Sequence, residues 1–371
     1  MRRDWEGQLE RWTAARLIDA DTAGRIRTWE NAQPPAQRWN WPVWIALAFG
    51  VILLAAGVLL FVSAQWNELS PAGRMSLLVA AIAVLHGCGA AVASRFEALA
   101  VALHTTGSIA LGGAIAVAGQ IFNLSEHWPA AILLWAIGCA CAWLLLRHWT
   151  QAALCAVLFP WWLAGEWATR VPAPDEFAML PLWAGICALS LMYLGARHSA
   201  DDSPLRKALV WLGGVAVLPA AALVSVPAAR RGTVDVTDYL LAWAVAMLVP
   251  LLVGLILNRR QWVWIVAAIA WVGVLAAISS SAHVSVVSYL WCAIGAAGMA
   301  AWGIRDARAE RVNLGVAGLA LTALVFYFST VMDKLGRSAS LAVVGLLFLG
   351  GGWLLEHMRR RMLAHMSKEA L

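Results

Sequence analysis

The sequence has few charged residues and lacks the short motifs that mark several common enzyme classes. Charged side chains make up 13% of the 371 residues and hydrophobic ones 62%, whereas a soluble domain has about 25% charged residues. The chain contains no GxxxxGK[ST] phosphate loop, dinucleotide fingerprint, HExxH helix, CxxC pair or nucleophile elbow. An ATP-driven pump or a zinc protease would normally carry one of these motifs. We therefore predict no catalytic residue, no metal site and no cofactor.

Cysteine is also scarce, and its positions exclude a disulfide framework. The six cysteines all lie within apolar runs, at Cys88, Cys139, Cys141, Cys155, Cys187 and Cys292. They are expected to pack as small hydrophobic residues. Residues 1–40 are polar and lack the short apolar core of a secretory signal. The first apolar run is therefore expected to direct membrane insertion.

Long apolar runs dominate the rest of the chain. A helix needs about 20 residues to cross about 30 Å of hydrocarbon. Twelve runs meet this length, at residues 43–64, 75–94, 97–122, 129–147, 150–168, 177–195, 206–228, 238–258, 261–278, 284–304, 312–333 and 338–355. We predict an all-α, polytopic integral membrane helical bundle of about twelve transmembrane helices at residues 41–356. A cytoplasmic amphipathic helical hairpin at 1–40 precedes it, and a basic cytoplasmic tail at 357–371 follows.

The basic residues are sorted by side of the membrane. If the N-terminus is cytoplasmic, six of the 27 lysines and arginines fall on the outer side, namely Arg74, Arg170, Arg230, Arg231, Lys334 and Arg337. All the others fall on the inner side, as the positive-inside rule requires. We therefore predict a multi-pass protein of the bacterial inner membrane with both termini in the cytoplasm. The net charge of +6 reports this orientation, so no nucleic-acid partner is expected.

The N-terminal 40 residues have the pattern of two short amphipathic helices. Apolar residues recur along one stripe from Trp5 to Leu17 and again at Ile26 and Trp29. Asp19 or Asp21 could cap the second helix. Such a hairpin buries little by itself, so it is expected to pack on the membrane surface, on the inner loops or on a partner protein.

A few polar residues inside the predicted spans form a candidate intramembrane patch. His86 and His104 lie at similar depths near the inner ends of two adjacent antiparallel spans, so they could be neighbours. With Thr105 they could pass a proton or bind a polar ligand, or they could only bond to helix carbonyls and hydroxyls. Glu166 lies near the outer end of the fifth span, where it could pair with Arg170 or act as a functional carboxylate.

The two outer turns that flank the second and third spans are rich in hydrogen-bonding side chains. The first turn holds Gln65, Trp66, Asn67 and Arg74, and the second holds Gln120, Asn123, Glu126 and His127. Amides, an acid, a cation and an indole at helix ends could bind a polar head group, a sugar or a partner loop. They could equally cap helix termini and anchor the interface.

These turns resemble a bacterial membrane protein family, that of domain of unknown function 2157. The resemblance rests on Trp12, on Leu17 and Ile18, on GVLLFVSAQWNELSPAGR at 57–74, on GGAIAVAGQIFNLS at 112–125 and on Trp135. It covers residues 1–150 mainly and is weaker at the C-terminal end. The family form reads AxNW where this chain has AQW at 64–66. The resemblance implies a membrane protein and draws attention to the outer turns, but it brings no activity.

Three classes of function fit the sequence. The first is a non-enzymatic scaffold or sensor subunit of an envelope complex, with an inner-membrane or envelope protein as its partner. The second is a transporter or lipid-handling carrier for a polar or amphipathic small molecule. The third is a membrane enzyme on a lipid-linked substrate, with Glu166, Glu126 or His127 as acid or base. The missing catalytic motifs favour a protein that is not an enzyme. Membrane lipids are expected partners in every case.

Overall fold

The computed structural model describes residues 4–32, 69–122, 127–171, 175–197, 202–228, 234–280 and 286–331, with isolated positions between 49 and 57 and between 345 and 353. Apart from those positions, the predicted spans at 43–64 and 338–355 and the basic tail lie outside the described residues. Every regular element within the described ranges is helical. The prediction of a helical membrane protein is confirmed, whereas the count of twelve spans stays a prediction.

The chain divides into two units, Met1–Trp66 and Asn67–Leu371. The described part of the first unit holds two short helices, α1 (Asp4–Ala14) and α2 (Ala20–Ala32), which contact each other. Asp19 accepts a hydrogen bond from the backbone N–H of Thr22, at 2.9 Å. Of the two predicted caps, Asp19 is therefore the one in place.

The second unit contains ten long helices among its described residues. They are α3 (Pro71–Val92), α4 (Glu97–Ile121), α5 (Trp128–Leu146), α6 (Trp149–Arg170), α7 (Glu176–Leu194), α8 (Pro204–Val224), α9 (Val236–Asn258), α10 (Trp262–Ser279), α11 (Val286–Arg305) and α12 (Ala309–Phe326). Each begins within about one turn of a run predicted from the sequence. Side-chain caps fix four of these starts, because Ser70, Asp175, Ser203 and Asp235 each accept a backbone N–H of the first turn.

Eight helical stretches of the described residues are long and apolar enough to cross a membrane. One of them, Val236–Ser279, has 44 residues and contains both α9 and α10. A 3-10 turn at Arg259–Gln261 separates these two helices. The side chain of Ile265 on α10 packs against Gly254 on α9. Eleven residues of continuous helix would hold these positions about 16 Å apart, so the chain reverses at the turn.

Helix α7 lies at the centre of the second unit. It packs against α8, α9 and α10. In the most apolar 18-residue stretch of α7, 61% of the residues are buried. Its crossing with α8 is close, because a Cβ on Gly213 would collide with the backbone of Ser190 and Leu194. Small residues at helix crossings are common in membranes, where packing replaces the hydrophobic drive.

The direction of α6 and α7 determines which groups share an end of the bundle. Trp167, in the last turn of α6, donates from Nε1 to the carbonyl of Ala178 in the first turn of α7, at 2.8 Å. The two helices therefore run in opposite directions. As a result, the start of α6 and the end of α7 lie at one end of the bundle, which is the predicted cytoplasmic end.

Candidate functional site

His86 on α3 and His104 on α4 are in direct contact, as their similar depth suggested. Their Nδ1 atoms lie 2.9 Å apart, which is a hydrogen-bond distance. His104 is buried, with 3% of its surface exposed. Thr105, predicted in the same patch, instead donates to the Val101 carbonyl and shares a 2.7 Å contact with the hydroxyl of Thr150 on α6.

Two glycines determine how the paired rings sit between their helices. The tip of the His104 ring lies over Gly89 on α3, and a Cβ there would be 2.9 Å from Nε2. The tip of the His86 ring lies over Gly107 on α4, where a Cβ would be 2.8 Å from Nε2. Each ring therefore occupies the space left by a missing Cβ on the opposite helix, and α3 and α4 pack closely around the pair.

Two residues that the sequence analysis did not select complete this region. The ring of His148, in the turn between α5 and α6, lies 5.4 Å from that of His104 between centroids. Gln151, fully buried on α6, donates from Nε2 to the carbonyl of His104 at 3.2 Å. We call His86, His104, His148 and Gln151 the histidine cluster. The signal that could have identified Gln151 from the sequence is an amide within the apolar run at 150–168.

The histidine cluster keeps two hydrogen-bonding atoms open. Gln151 Oε1 and His148 Nδ1 are buried and have no hydrogen-bond partner within the described part of the chain. Buried polar atoms are nearly always bonded, so two open atoms in one place are unusual. They provide an acceptor and a ring nitrogen beside the histidine pair.

A second group of polar residues lies at the opposite end of the bundle. Glu166 accepts hydrogen bonds from Trp162 Nε1 at 2.9 Å and from His127 Nε2 at 3.0 Å. Sequence analysis offered Arg170 as the partner of Glu166, but the guanidinium of Arg170 lies 3.6 Å from Asp238 on α9. The structure therefore joins Glu166 to His127, two predicted site residues from different parts of the sequence.

A cleft of about 420 Å³ lies between α6, α7 and α9, within the size range of small-molecule sites. Glu166, Arg170 and Asp238 line it at one end, which we call the charged mouth. The remainder is apolar and reaches Leu189 and Pro250. Asp238 and Pro250 are about 18 Å apart along α9 at about 1.5 Å per residue. The cleft is thus polar at one end and apolar along its length.

Each of the three helices around this cleft contains an interior proline that lines it, namely Pro160, Pro181 and Pro250. A proline inside a helix cannot bond to the carbonyl four residues earlier. Tyr193 compensates at the first of these positions, because its hydroxyl donates to the Ala156 carbonyl at 2.8 Å. The prolines interrupt regular packing around the cleft and favour a permanent space there.

A larger cavity, of about 620 Å³, lies among α8, α10, α11 and α12. Among the described residues that line it, the polar groups are hydroxyls and indoles and none is charged. Trp271 and Trp291 shape its wall, since each donates from Nε1 to the carbonyl of the other at 3.0 Å. It has no polar end that would orient a ligand.

The predicted outer-turn site can be followed only in part. Gln65, Trp66, Asn67, Asn123 and Glu126 lie outside the described residues. Arg74 lies in the first turn of α3, and Gln120 is exposed near the end of α4. Of the three described members, His127 is the one that the structure brings to Glu166.

A network around Arg311 lies at the predicted cytoplasmic end. Arg311 is completely buried and donates to the carbonyl of Leu194 from Nε at 3.1 Å and from Nη2 at 2.9 Å. Its Nη1 binds Asp306, and its guanidinium lies 3.9 Å from the ring centroid of Trp302. We call Arg311, Asp306 and Trp302 the arginine network. It joins the end of α7 to the turn between α11 and α12.

The arginine network contrasts with what the sequence suggested for this residue. Arg311 is one of the basic residues that the sequence assigns to the inner side of the membrane, yet it lies within α12 and packs in the protein interior. Gln261, from the turn between α9 and α10, extends the network by donating to Asp306 at 2.8 Å and accepting from Trp302 at 3.1 Å.

Among the described residues, no group of three or more His, Cys, Asp or Glu side chains is placed to hold a metal ion.

Comparison with known proteins bears on the part of the chain that contains the histidine cluster. Residues 10–152 match the family model "Predicted membrane protein (DUF2157)". The resemblance noted in the sequence is thereby confirmed over that range, which is similar to a family of membrane proteins whose function is unknown. Neither curated proteins nor solved structures gave a match. His86, His104, His148 and Gln151 all lie within the DUF2157 match, whereas α7–α12 lie beyond it.

Proposed function

We propose that this membrane protein handles lipids, and that it holds an amphipathic molecule in the cleft between α6, α7 and α9. The observation that carries the proposal is the asymmetry of that cleft, which has a charged mouth at one end and about 18 Å of apolar wall beyond it. An acyl chain fits the apolar part, and a polar head group fits the mouth. The larger cavity offers no such polarity.

The charges of the mouth support a head group that carries charge. Arg170 and Asp238 are about half exposed, at 54% and 45% of their side chains, and are 3.6 Å apart. A pair so accessible contributes little to stability, so opening it for a ligand costs little. A phosphate could bind Arg170, and an ammonium group could bind Asp238.

This proposal corresponds to the second class that the sequence left open. The first class, a scaffold or sensor subunit, stays a prediction, because no described contact and no comparison bears on a partner protein. The location in the inner membrane and the cytoplasmic position of both termini also stay predictions. The hydrogen bond between His127 and Glu166 favours the third class as a second candidate, since such a pair can act as acid and base on a lipid-linked substrate.

Native mass spectrometry of the full chain tests the cleft. The protein is purified in mild detergent and offered a defined mixture of phosphatidylethanolamine and phosphatidylglycerol, and bound lipids are counted. Val245→Trp places an indole in the cleft, whereas Leu248→Trp places one on the exposed side of the same helix. We expect the first variant to lose at least about 1.4 kcal/mol of binding, a tenfold weaker affinity, and the second to bind as the unaltered chain does.

Equal lipid retention by the two tryptophan variants would contradict the proposal. Arg170→Gln distinguishes the contribution of the lipid head group from that of the acyl chain. This variant should change the preference between the two lipids without abolishing binding. For the enzyme candidate, His127→Asn should leave lipid retention intact and remove any turnover of the bound lipid. Release of a head group by the unaltered chain would favour that candidate over a carrier.

A further inference from the structure

The histidine cluster lies at the opposite end of α6 from the cleft mouth, and the cleft proposal leaves it unused. Its central feature is the Nδ1 to Nδ1 hydrogen bond between His86 and His104. A neutral imidazole carries one N–H, so this bond requires one ring to be protonated at Nδ1 and the other at Nε2. The outer Nε2 of the first ring is then an acceptor, and that of the second ring is a donor.

We propose that His86, His104 and His148 form a proton-transfer path that connects the α5–α6 turn with the contact between α3 and α4. A proton that arrives at the accepting Nε2 makes the first ring an imidazolium. That ring passes its Nδ1 proton to Nδ1 of the second ring, which releases its own Nε2 proton to a water molecule. One proton has then moved through the pair, both rings are neutral again, and their tautomers are exchanged.

The packing of the pair fits this step. The Nε2 edge of each ring packs against a glycine, Gly89 for His104 and Gly107 for His86, which lets α3 and α4 close around the pair. The carbonyl of His104 is held by Gln151, which fixes the backbone of α4 against α6. Because the two Nδ1 atoms are 2.9 Å apart, the shared proton has a short path.

His148 provides the entrance. It lies in the turn between α5 and α6, it is only partly buried, and its ring is 5.4 Å from that of His104. Its Nδ1 and Gln151 Oε1 are the open polar atoms of the cluster. Among the described residues, His148 is the further titratable ring in contact with the pair.

The proposal is independent of lipid binding, because it rests on different residues at the other end of the bundle. Its test is ¹⁵N nuclear magnetic resonance of the full chain, labelled at its eight histidines and placed in lipid nanodiscs. His86→Asn and His104→Asn assign the two signals. We expect one proton resonance coupled to both Nδ1 atoms.

The entrance is tested by the rate at which the shared proton exchanges with water. His148→Asn should slow this exchange by at least about tenfold, equivalent to a barrier raised by about 1.4 kcal/mol. His127→Asn, at the opposite end of α6, is the matched control and should leave the rate unchanged. Equal rates in these two variants would overturn the path.

The unaltered chain also decides the question by itself, so the proposal does not depend on the folding of any variant. If the shared proton is coupled to the Nδ1 atom of one ring only, the pair holds a fixed proton and the proposal is wrong. His148→Gln provides a second variant at the entrance, with the same expected loss of exchange rate.

Discussion

The arginine network and the histidine cluster lie at the same end of the bundle, yet they differ in whether their buried polar atoms have hydrogen-bond partners. Arg311 is fully buried, and its guanidinium has hydrogen-bond partners in Leu194 and Asp306 and a ring face in Trp302. The histidine cluster consists of imidazoles and one amide, and it leaves Gln151 Oε1 and His148 Nδ1 without a described partner.

The difference shows which polar groups are available for chemistry. A buried charge is tolerated only when it is fully paired, so the arginine network has no freedom to exchange its partners. Neutral imidazoles cost less to bury and can change tautomer without leaving a charge behind. The arginine network therefore holds α7, α11 and α12 together, whereas the histidine cluster can bind and release a proton. The comparison predicts that disrupting the network lowers stability far more than disrupting the cluster.

The largest effect is expected from Arg311→Met. This change leaves the Leu194 carbonyl without its two donors and Asp306 without its cation, and breaking such a buried pair costs about 3–5 kcal/mol. A marked fall in the thermal midpoint of the purified protein should result, as measured by the loss of monodisperse protein on heating. Arg305→Met, at the exposed end of α11, is the matched control and should change the midpoint little.

Coupling between the partners sharpens this test. The double variant Arg311→Met with Asp306→Asn should recover part of the loss, because the carboxylate left behind no longer needs a cation. If Arg311→Met is as stable as Arg305→Met, the network is not the element that holds the three helices, and the contrast with the histidine cluster disappears.

A smaller effect is expected from Gly89→Ala. The added methyl group would lie 2.9 Å from His104 Nε2, so the ring must shift against its bond to His86. Overpacking of this kind costs about 1–3 kcal/mol. Gly87→Ala, on the same helix, meets nothing within 4 Å and should be neutral or slightly stabilising, because alanine favours helix over glycine. Thermal midpoints of the two variants give the comparison.

The test depends on the contrast between the two variants, because Gly89→Ala should lower the thermal midpoint and Gly87→Ala should not. If both are neutral, the ring of His104 moves freely and the close packing of α3 on α4 does not position the pair. Loss of the shared proton resonance in Gly89→Ala alone would instead connect the packing to the proton path.

Much of this arrangement could be predicted from the sequence where the physics is local. Hydrophobic runs gave the helices to within about one turn, because membrane-spanning length is a property of consecutive residues. The contact between His86 and His104 followed from their equal depth in two adjacent antiparallel spans. The choice of Asp19 over Asp21 as a cap needed only the position of the first helical residue.

Other features depend on contacts between distant residues. Arg311 bonds to Leu194, 117 residues earlier, and nothing in the local sequence distinguishes it from an ordinary loop cation. Glu166 and Arg170 are one helical turn apart and could have formed an ion pair. Instead, Arg170 pairs with Asp238 on α9, and Glu166 bonds to His127. The cleft is lined by one proline from each of three helices that are distant in sequence. Such pairings are set by how helices pack, which one sequence does not specify.

The smallest effect is expected from Asp235→Asn. This variant tests how much the charge of a capping side chain contributes to stability at different pH values. Asp235 caps α9 and accepts the backbone N–H groups of Thr237 and Asp238, at 2.8 and 3.3 Å. These bonds, that of Thr237 foremost, lower the pKa of Asp235 below its ordinary value of 3.8. Because the folded pKa is the lower one, the carboxylate stabilises the fold above pH 3.8, and this contribution is lost as the pH falls through the folded pKa.

Between about pH 5 and 3, the thermal midpoint of the unaltered chain should therefore fall more steeply than that of Asp235→Asn, because the amide of the variant caps the helix without a charge. Parallel slopes would mean that the charge of this cap contributes nothing, whereas a difference confined to this acid range would assign the effect to the carboxylate of Asp235.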